Sequence, residues 1–559
     1  MHDFIVVGSG PAGSCLARRL ADSKGTPKVL LLEAGPPVDG TNANILAERW
    51  TSFMQYPDNN WGYDTVPQKH ADNRTINYSR GKGLGGSTSI NMCAWTVGPQ
   101  DDYDEWANLV GDSSFSWGNA VRLRKKHESV DSNLSESHRK YARPDMSVHG
   151  TDGPVRIEYA KVLEAPMTAQ LDAAKHVGLG VNLDINSGNP LGLASCPATS
   201  RSGRRITSAE AFLTNVPSNL TIITNAQVTK VIFEGARATG VLAGGWEYLA
   251  SKEVILSAGA VDTPKILLLS GVGPKNDLAE LGIPCVHNLS GVGNSLEDHY
   301  FTSAMWEEKE NLRGWNTFYG DSAKVKAGYE QFAKDGTGPL SIFFATTAIG
   351  FFKADEVLDS QEFADLPKQA QEHIKRPTVP LWEMSCWIPP FSPLADPKLS
   401  YLTVAFFLHC PQSRGTIKLA SADPEDAPLV DPNFFSHPFD RRCAIAATRR
   451  VLDFVGTPKM SENIKQPFLV PGRTDEEILS FWQQYGISTW HPSCTVKMGK
   501  ADDPDACLDT DFRVRGLQNL RVADMSATPF LPNCHTQACA YFIGECAAEK
   551  IIAEHKLDA

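Results

Sequence analysis

The sequence predicts a protein of mixed α/β class (α+β overall), with a Rossmann-like domain and a second domain built on an antiparallel sheet flanked by helices. Two observations support this prediction. The N-terminal segment is patterned as a strand, a glycine-rich turn and a helix, followed by a second buried strand. Residues 301–499 instead alternate strand-like runs, such as 402–408 and 415–419, with helical patterns such as 439–455.

The first element has the pattern of a nucleotide-binding turn. Residues 4–7 form an apolar run, Gly8, Gly10 and Gly13 follow, and residues 14–20 have the apolar spacing of a helix. The first glycine permits a tight turn, the second lets backbone N–H groups approach a pyrophosphate, and the third lets the helix pack against the strand.

The second strand, residues 28–32, ends at Glu33. A carboxylate at this position can accept hydrogen bonds from the ribose of a dinucleotide. It also disfavours a 2′-phosphate, because like charges repel, so NADP is not expected. The choice between NAD and FAD stays open at this point.

The amino-acid composition of the chain indicates which kind of binding partner to expect. The chain has 53 Lys and Arg against 65 Asp and Glu, a net charge of −12, which argues against nucleic acid and against an anionic membrane surface. No apolar run approaches the ~20 residues of a membrane-spanning helix. The twelve cysteines include no C-x-x-C pair and no cluster with histidine, so no metal site is expected. The expected partner is a small molecule.

The start of the chain bears on localisation. Met1 leads directly into the first strand, without the charged and apolar segments of a signal peptide. We therefore expect a cytoplasmic or otherwise intracellular protein, and a secreted one if a leader has been removed.

Two further glycine-rich stretches point to a family. Residues 81–91 read GKGLGGSTSIN, and residues 259–264 read GAVDTP, which we expect to open a short apolar helix at Pro264. The two stretches resemble the two signatures of the glucose-methanol-choline oxidoreductases. The resemblance spans nearly the whole chain and also covers the Gly8 turn and residues 32–35, 291–299 and 491–499.

The resemblance implies that FAD is the cofactor, with its adenine end on the first turn and its isoalloxazine ring beside residues 91–94. Val228, in a strand-like hairpin over residues 220–233, matches the position whose backbone meets the adenine. Asp524, after a strand at 520–523, matches the acid near the pyrophosphate and ribitol. The residues expected to contact FAD are Gly8, Gly10, Ala12, Gly13, Glu33, Ala34, Gly86, Ser87, Asn91, Met92, Cys93, Ala94, Val228, Ala258, Asp524, Thr536 and Gln537.

One position departs from some members of the family. They carry a histidine bonded covalently to the flavin where this chain has Ile90. An aliphatic side chain cannot form that bond, so we expect FAD to be bound non-covalently.

Two histidines match the catalytic positions of the family. His491 stands in the segment WHPSCT and His535 in PNCHT. Removal of hydride from an alcohol carbon requires a base for the hydroxyl proton, and histidine, with a pKa of about 6.5, suits this task. We assign His491 as the base and His535 as the residue that orients the substrate oxygen, and the reverse assignment stays open. If the pKa of the base is unperturbed, activity rises with pH through about 6.5.

Aromatic residues are candidates for the substrate pocket. Trp490, directly before His491, matches a residue that borders the flavin in relatives and is expected to shape the pocket. A group in the second domain could line the same pocket or belong to the core: Trp382, Trp387, Phe391, Phe406 and Phe407. The apolar and aromatic composition of the second domain favours an aryl, allylic or secondary-metabolite primary alcohol over a sugar.

The predicted function is FAD-dependent oxidation of an alcohol to an aldehyde or ketone, by hydride transfer to flavin N5. Either O₂ or a quinone-like molecule can be the electron acceptor. The alternative is a flavoprotein of the same family without net oxidation, similar to its hydroxynitrile lyases.

Because the motifs lie at both ends and in the middle of the chain, we expect a discontinuous FAD-binding domain, residues 1–155, 200–300 and 500–559, and a substrate-binding domain, residues 156–199 and 301–499.

Overall fold

Two large β-sheets organise the chain, and each collects strands that are far apart in the sequence. The computed structural model describes residues 1–38, 44–50, 57–160, 163–176, 178–311, 318–341, 348–386, 392, 394–396 and 398–558. Within this part of the chain, no helix combines the length and the apolar character needed to cross a membrane.

The first sheet has seven strands and contains the nucleotide-binding turn. Five strands pair in parallel, and their apolar runs are buried because helices cover both faces. Two further strands extend Trp246–Leu256 in antiparallel fashion. In spatial order the strands are Leu220–Ile223, Val29–Leu32, His2–Val7, Trp246–Leu256, Arg237–Ala243 and Val228–Glu234, with Leu520–Val522 paired to Trp246–Leu256.

The second sheet is antiparallel and has six strands, all from residues 300–488. Helices Pro438–Val455 and Asp475–Tyr485 pack against it and share its hydrophobic core. The sheet confirms the predicted fold class. Its strands are Ala348–Phe352, Trp382–Cys386, Tyr401–Leu408, Tyr300–Glu308 and Ile464–Leu469 in spatial order, with Ile487–Ser488 paired to Tyr300–Glu308.

A smaller sheet crosses the predicted domain boundaries. It joins Glu128–Val130, Val155–Glu158, Ala198–Arg201 and Arg204–Arg205, and therefore mixes residues assigned to both domains. The division of the chain into domains stays a prediction. The remaining strands are Gly192–Ser195 and the short pairs Val272–Gly273 with His287–Asn288 and Thr416–Lys418 with Leu429–Asp431.

The other α-helices surround the two sheets. They are Pro11–Ala21, Gln100–Val110, Trp117–His127, Glu136–Arg139, Ala165–His176, Ser208–Phe212, Gly259–Leu269, Lys275–Glu280, Ser322–Asp335, Asp355–Leu358, Gln361–Ala364, Lys368–Lys375, Pro458–Ser461 and Gln537–Glu554.

Two predictions of local structure are wrong. Residues 220–233 do not form a hairpin, because Leu220–Ile223 and Val228–Glu234 lie at opposite edges of the first sheet. Helix Gly259–Leu269 begins before Pro264, which lies inside it and cannot donate to the carbonyl of Ala260. Thr495 Oγ1 donates to that carbonyl instead, at 2.7 Å, and so ties the segment after His491 to this helix.

Candidate active site

A cavity of about 310 Å³ lies where the two large sheets meet. One wall includes Val7, Leu32 and Ser257, at the carboxyl ends of the parallel strands, and another includes Phe301 and Phe407 of the antiparallel sheet. The carboxyl ends of parallel strands are where nucleotides bind in sheets of this type.

The structure places nearly all of the predicted site residues on the walls of this cavity. His491, His535 and Trp490 line it. So do the predicted cofactor residues Gly8, Gly10, Ala12, Glu33, Ala34, Gly86, Ser87, Asn91, Met92, Cys93, Ala94, Val228, Ala258, Asp524, Thr536 and Gln537. Gly13 does not line it, and the contacts of the others with a cofactor stay predictions.

The three glycines of the first turn have different surroundings. A Cβ at Gly13 would lie 2.0 Å from the carbonyl oxygen of Gly8, so Gly13 serves the close packing of the helix on the strand. Gly8 has φ +96°, and a Cβ there would lie 2.5 Å from Ser257 O. A Cβ at Gly10 would meet no atom within 4 Å, so only Gly10 faces open space.

Two buried carboxylates fix the loops around this turn. Burial raises the pKa of both Glu33 and Asp524, and hydrogen bonds to the carboxylates oppose that effect. Glu33 accepts hydrogen bonds from Ser9 N, Ser9 Oγ, Gly35 N and Gly83 N. Asp524 accepts them from Gly259 N, Thr263 Oγ1, Ser526 N and Ser526 Oγ.

The turn predicted to lie beside the isoalloxazine ring is held by side chains. Asn91 Nδ2 donates to Gln537 Oε1 at 2.8 Å, and Asn91 Oδ1 accepts from Arg205 and from the N–H of Cys93. Cys93 has φ 61°, a left-handed conformation that a non-glycine residue adopts only where its surroundings impose it. Arg205 is buried, and sequence reasoning did not identify it.

The cavity residues fit FAD. Helix Pro11–Ala21 begins beside Gly10, so its N-terminal N–H groups face the open space there, as a pyrophosphate requires. At the Asn91 turn, Nε2 of Gln537 is buried without a hydrogen-bond partner among the described residues. A donor of this kind suits the acceptor-rich edge of an isoalloxazine ring.

The backbone around His491 is fixed from several sides. The N–H of His491 donates to Asp298 Oδ1 at 2.9 Å, and Arg80 donates to the carbonyl of Trp490 at 2.7 Å. Trp490 has φ 59°, a left-handed conformation imposed at the residue before the histidine. Burial, aided by the nearby charge of His535, holds the pKa of His491 well below its usual value.

The loop that carries His535 is anchored in the same way. The N–H of His535 donates to Thr96 Oγ1 at 2.7 Å, and the N–H of Asn533 donates to Asp102 at 2.7 Å. Helix Gln537–Glu554 begins two residues later. The rings of His535 and His491 lie 5.0 Å apart, centroid to centroid, at 75°. The two predicted histidines therefore meet at one point of the cavity wall.

Sequence reasoning missed three residues behind that wall. His299 Nδ1 lies 3.1 Å from His491 Nδ1, and Glu383 contacts Nε2 of both His535 and His409, at 2.9 and 3.1 Å. Burial opposes ionisation of Glu383, but His535 and the two hydrogen bonds outweigh it and lower the pKa of Glu383 to about 2. Glu383 is therefore a carboxylate at neutral pH.

Aromatic side chains cover the cavity wall near the histidines. Phe301, Phe407 and Trp490 pack together with Trp50. Of the five aromatic residues proposed for the pocket, Phe407 lines the cavity, whereas Trp382 and Phe406 lie in the hydrophobic core of the antiparallel sheet and its helices. Side chains alternate between the faces of a strand, so neighbours such as 406 and 407 point to opposite sides. Trp387 and Phe391 lie outside the described residues.

Comparisons with known proteins identify relatives of this chain. Two family models, both described as GMC oxidoreductase, match residues 2–301 and 411–544. An alcohol dehydrogenase (acceptor) from Pseudomonas putida is 33% identical over 570 residues, which cover 99% of this chain and 96% of that protein. An oxygen-dependent choline dehydrogenase from Sinorhizobium medicae is 30% identical over 577 residues, covering 99% and 96%.

A solved structure has a similar fold over its whole length. An FAD-dependent oxidoreductase from Chaetomium thermophilum is 26% identical, has a TM-score of 0.88 and covers 100% of both chains. The predicted cofactor is confirmed, and FAD is the cofactor of this protein. The chain belongs to the GMC (glucose-methanol-choline) oxidoreductase family.

Proposed function

We propose that this protein oxidises an alcohol to an aldehyde or ketone, with His491 as the base and His535 as the residue that holds the substrate oxygen. The main support for this proposal is that the two imidazole rings lie 5.0 Å apart, centroid to centroid, on the wall of the cofactor cavity. The relatives named alcohol dehydrogenase and choline dehydrogenase support oxidation of a CH–OH group.

FAD, held by the residues that line the cavity, would supply the hydride acceptor of this reaction. His491 is suited to take the hydroxyl proton because its lowered pKa keeps it neutral at neutral pH. His299 contacts Nδ1 of His491, so Nε2 remains for the substrate. Glu383 contacts Nε2 of His535, so Nδ1 remains for the substrate oxygen. Both loops are anchored before substrate arrives, which is the condition for efficient proton transfer.

The wall around the histidines favours an apolar substrate. Phe301, Phe407, Trp490 and Met92 present mainly carbon atoms to the cavity. A substrate with an aromatic or allylic body buries apolar surface there, at roughly 25 cal/mol per Å². A sugar would lose water from its hydroxyl groups, and the rings of Phe301 and Phe407 offer no polar atoms in return.

The proposal is tested by mixing the holoenzyme anaerobically with a panel of alcohols. We expect an aryl or allylic primary alcohol to bleach the visible flavin absorbance faster than glucose does. A lyase without net oxidation would leave the absorbance unchanged with every alcohol, and that result would overturn the proposal. Reoxidation of the reduced enzyme by O₂ and by a quinone, measured separately, then identifies the acceptor.

A further inference from the structure

A buried group of three side chains connects His491 to His535 behind the cavity wall. His299, His409 and Glu383, here termed the relay cluster, are each 1% exposed. None of the three lines the cavity. Three ionisable groups buried together in this way are uncommon unless they are paired or serve a function.

The contacts run in sequence from one cavity histidine to the other. His491 Nδ1 lies 3.1 Å from His299 Nδ1, and the ring of His299 lies 4.4 Å from the ring of His409, centroid to centroid. His409 Nε2 lies 3.1 Å from Glu383 Oε2, and Glu383 Oε1 lies 2.9 Å from His535 Nε2. This series of contacts thus leads from His491, through the buried cluster, to His535.

The carboxylate fixes which nitrogens carry hydrogen. Because Glu383 accepts hydrogen bonds, Nε2 of His409 is a donor, and Nδ1 of neutral His409 is an acceptor. That nitrogen and Nε2 of His299 are both buried and without a hydrogen-bond partner among the described residues. They belong to the two rings that are 4.4 Å apart. A continuous path requires these two nitrogens to come within hydrogen-bonding distance, with His299 as the donor.

We propose that the relay cluster is an internal proton relay that carries the proton of the alcohol from His491 to the pair formed by His409 and Glu383. The inference rests on the proposed function. Its residues do not touch the substrate, so they are positioning residues that act through His491 and His535. The relay lets the base pass its proton into the protein interior without a water molecule in the cavity.

The alcohol O–H bond breaks and its proton binds Nε2 of His491, while the electron pair of the C–H bond leaves with the hydride to flavin. His491 then releases its Nδ1 hydrogen to Nδ1 of His299, and His299 releases its Nε2 hydrogen to Nδ1 of His409. One proton has moved to the His409–Glu383 pair, and no electron has moved along the relay.

Two variants separate a relay from a structural support. Glutamine in His299→Gln or His409→Gln keeps an amide that can hydrogen bond to the neighbouring residue, but an amide does not pass a proton. A support role is therefore rescued by glutamine and a relay is not. His138→Gln is the matched control, since it removes a buried imidazole that belongs to neither the cluster nor the cavity. Bound flavin and thermal unfolding show that each variant folds.

The first measurement is anaerobic flavin reduction in mixtures of H₂O and D₂O. We expect a curved dependence on the deuterium fraction in the wild type and the control, because several protons move. In both cluster variants we expect flavin reduction to be about tenfold slower, which is less than the 10²–10⁴-fold effect of a positioned acid–base group. The rate should depend linearly on the deuterium fraction. Wild-type rates with the same curvature in both variants would overturn the relay.

A second measurement does not depend on turnover. In protein labelled with ¹⁵N-histidine, the contact between His491 and His299 predicts a hydrogen-bonded imidazole N–H resonance that His299→Phe abolishes. An unchanged set of such resonances in that variant overturns the relay even if alcohols reduce the flavin. Failure of every alcohol to reduce the wild-type flavin, with the resonance present, contradicts the proposed function instead.

Discussion

Asp298 accepts a hydrogen bond from the backbone N–H of His491 at 2.9 Å, although the two residues lie 193 positions apart in the chain. The next residue, His299, contacts the ring of the same histidine. Two consecutive residues therefore fix both the backbone and the side chain of the proposed base. Burial raises the pKa of Asp298 to about 6, and hydrogen bonds from Ser488 and His491 oppose this effect.

Replacement of Asp298 tests this anchoring. Asp298→Ala removes the acceptor for the N–H of His491 and for the hydroxyl proton of Ser488. Each buried donor left without an acceptor costs about 1–3 kcal/mol. We expect a lower free energy of unfolding in urea and slower flavin reduction by alcohol. Asp298→Asn keeps a carbonyl oxygen and is the matched control. Equal rates and equal stability in Asp298→Ala and the wild type would show that the anchoring has no effect.

The role of His491 is tested by its removal. We expect His491→Ala to slow flavin reduction by at least ~10²-fold, the lower range for a positioned acid–base group. Bound FAD should stay at the wild-type level, so stopped-flow reduction can be compared per mole of flavin. Wild-type reduction rates in this variant would exclude His491 as the base and leave His535 as the candidate.

The pH dependence of flavin reduction follows from the burial of His491. A base acts only when unprotonated, and burial holds the pKa of His491 well below its usual value. The second-order rate constant at low alcohol concentration should therefore stay constant as the pH falls to about 6.5 and decrease only in more acidic solution. The unperturbed histidine considered from sequence would lose half its activity near 6.5, and that profile would contradict the effect of burial.

The glycine turn gives a test of cofactor binding. A Cβ at Gly10 would meet no protein atom within 4 Å, so we expect Gly10→Leu to fold with near wild-type thermal stability. Its side chain should fill the space in front of the helix N-terminus and prevent FAD binding. Gly8→Ala is the contrasting variant, because its Cβ would lie 2.5 Å from Ser257 O at a φ of +96°. We expect it to lower stability. Full FAD content in Gly10→Leu would be inconsistent with the proposed cofactor position.

The link between FAD and protein is tested by denaturation. Ile90 cannot bond to the flavin, so precipitation with trichloroacetic acid should release all FAD into the supernatant. Yellow colour that remains in the washed pellet would disprove the prediction of non-covalent binding.

Short-range patterns made much of the site predictable from sequence. The turn at Gly8 and the segments that carry His491 and His535 depend on neighbouring residues, and the structure places them on one cavity. The misplaced hairpin at 220–233 shows the limit. Periodicity identified its strands, but their partners depend on the order of the whole sheet.

Glu383 and His409 could not be placed because they reach the site through strand pairing. Glu383 is 152 residues from His535 in the chain, and its strand pairs with Tyr401–Leu408. A signal was present nonetheless. Glu383 is the charged residue of the buried strand Trp382–Cys386, and a carboxylate in such a strand requires hydrogen-bonding partners.

A crystal structure of the FAD-loaded protein with a bound alcohol would show directly whether His491 and His535 hold the substrate hydroxyl. We expect Nε2 of His491 and Nδ1 of His535 both to lie within hydrogen-bonding distance of the substrate hydroxyl, on the side of the isoalloxazine ring where N5 faces the substrate carbon. A structure in which either imidazole lies far from that hydroxyl would contradict it.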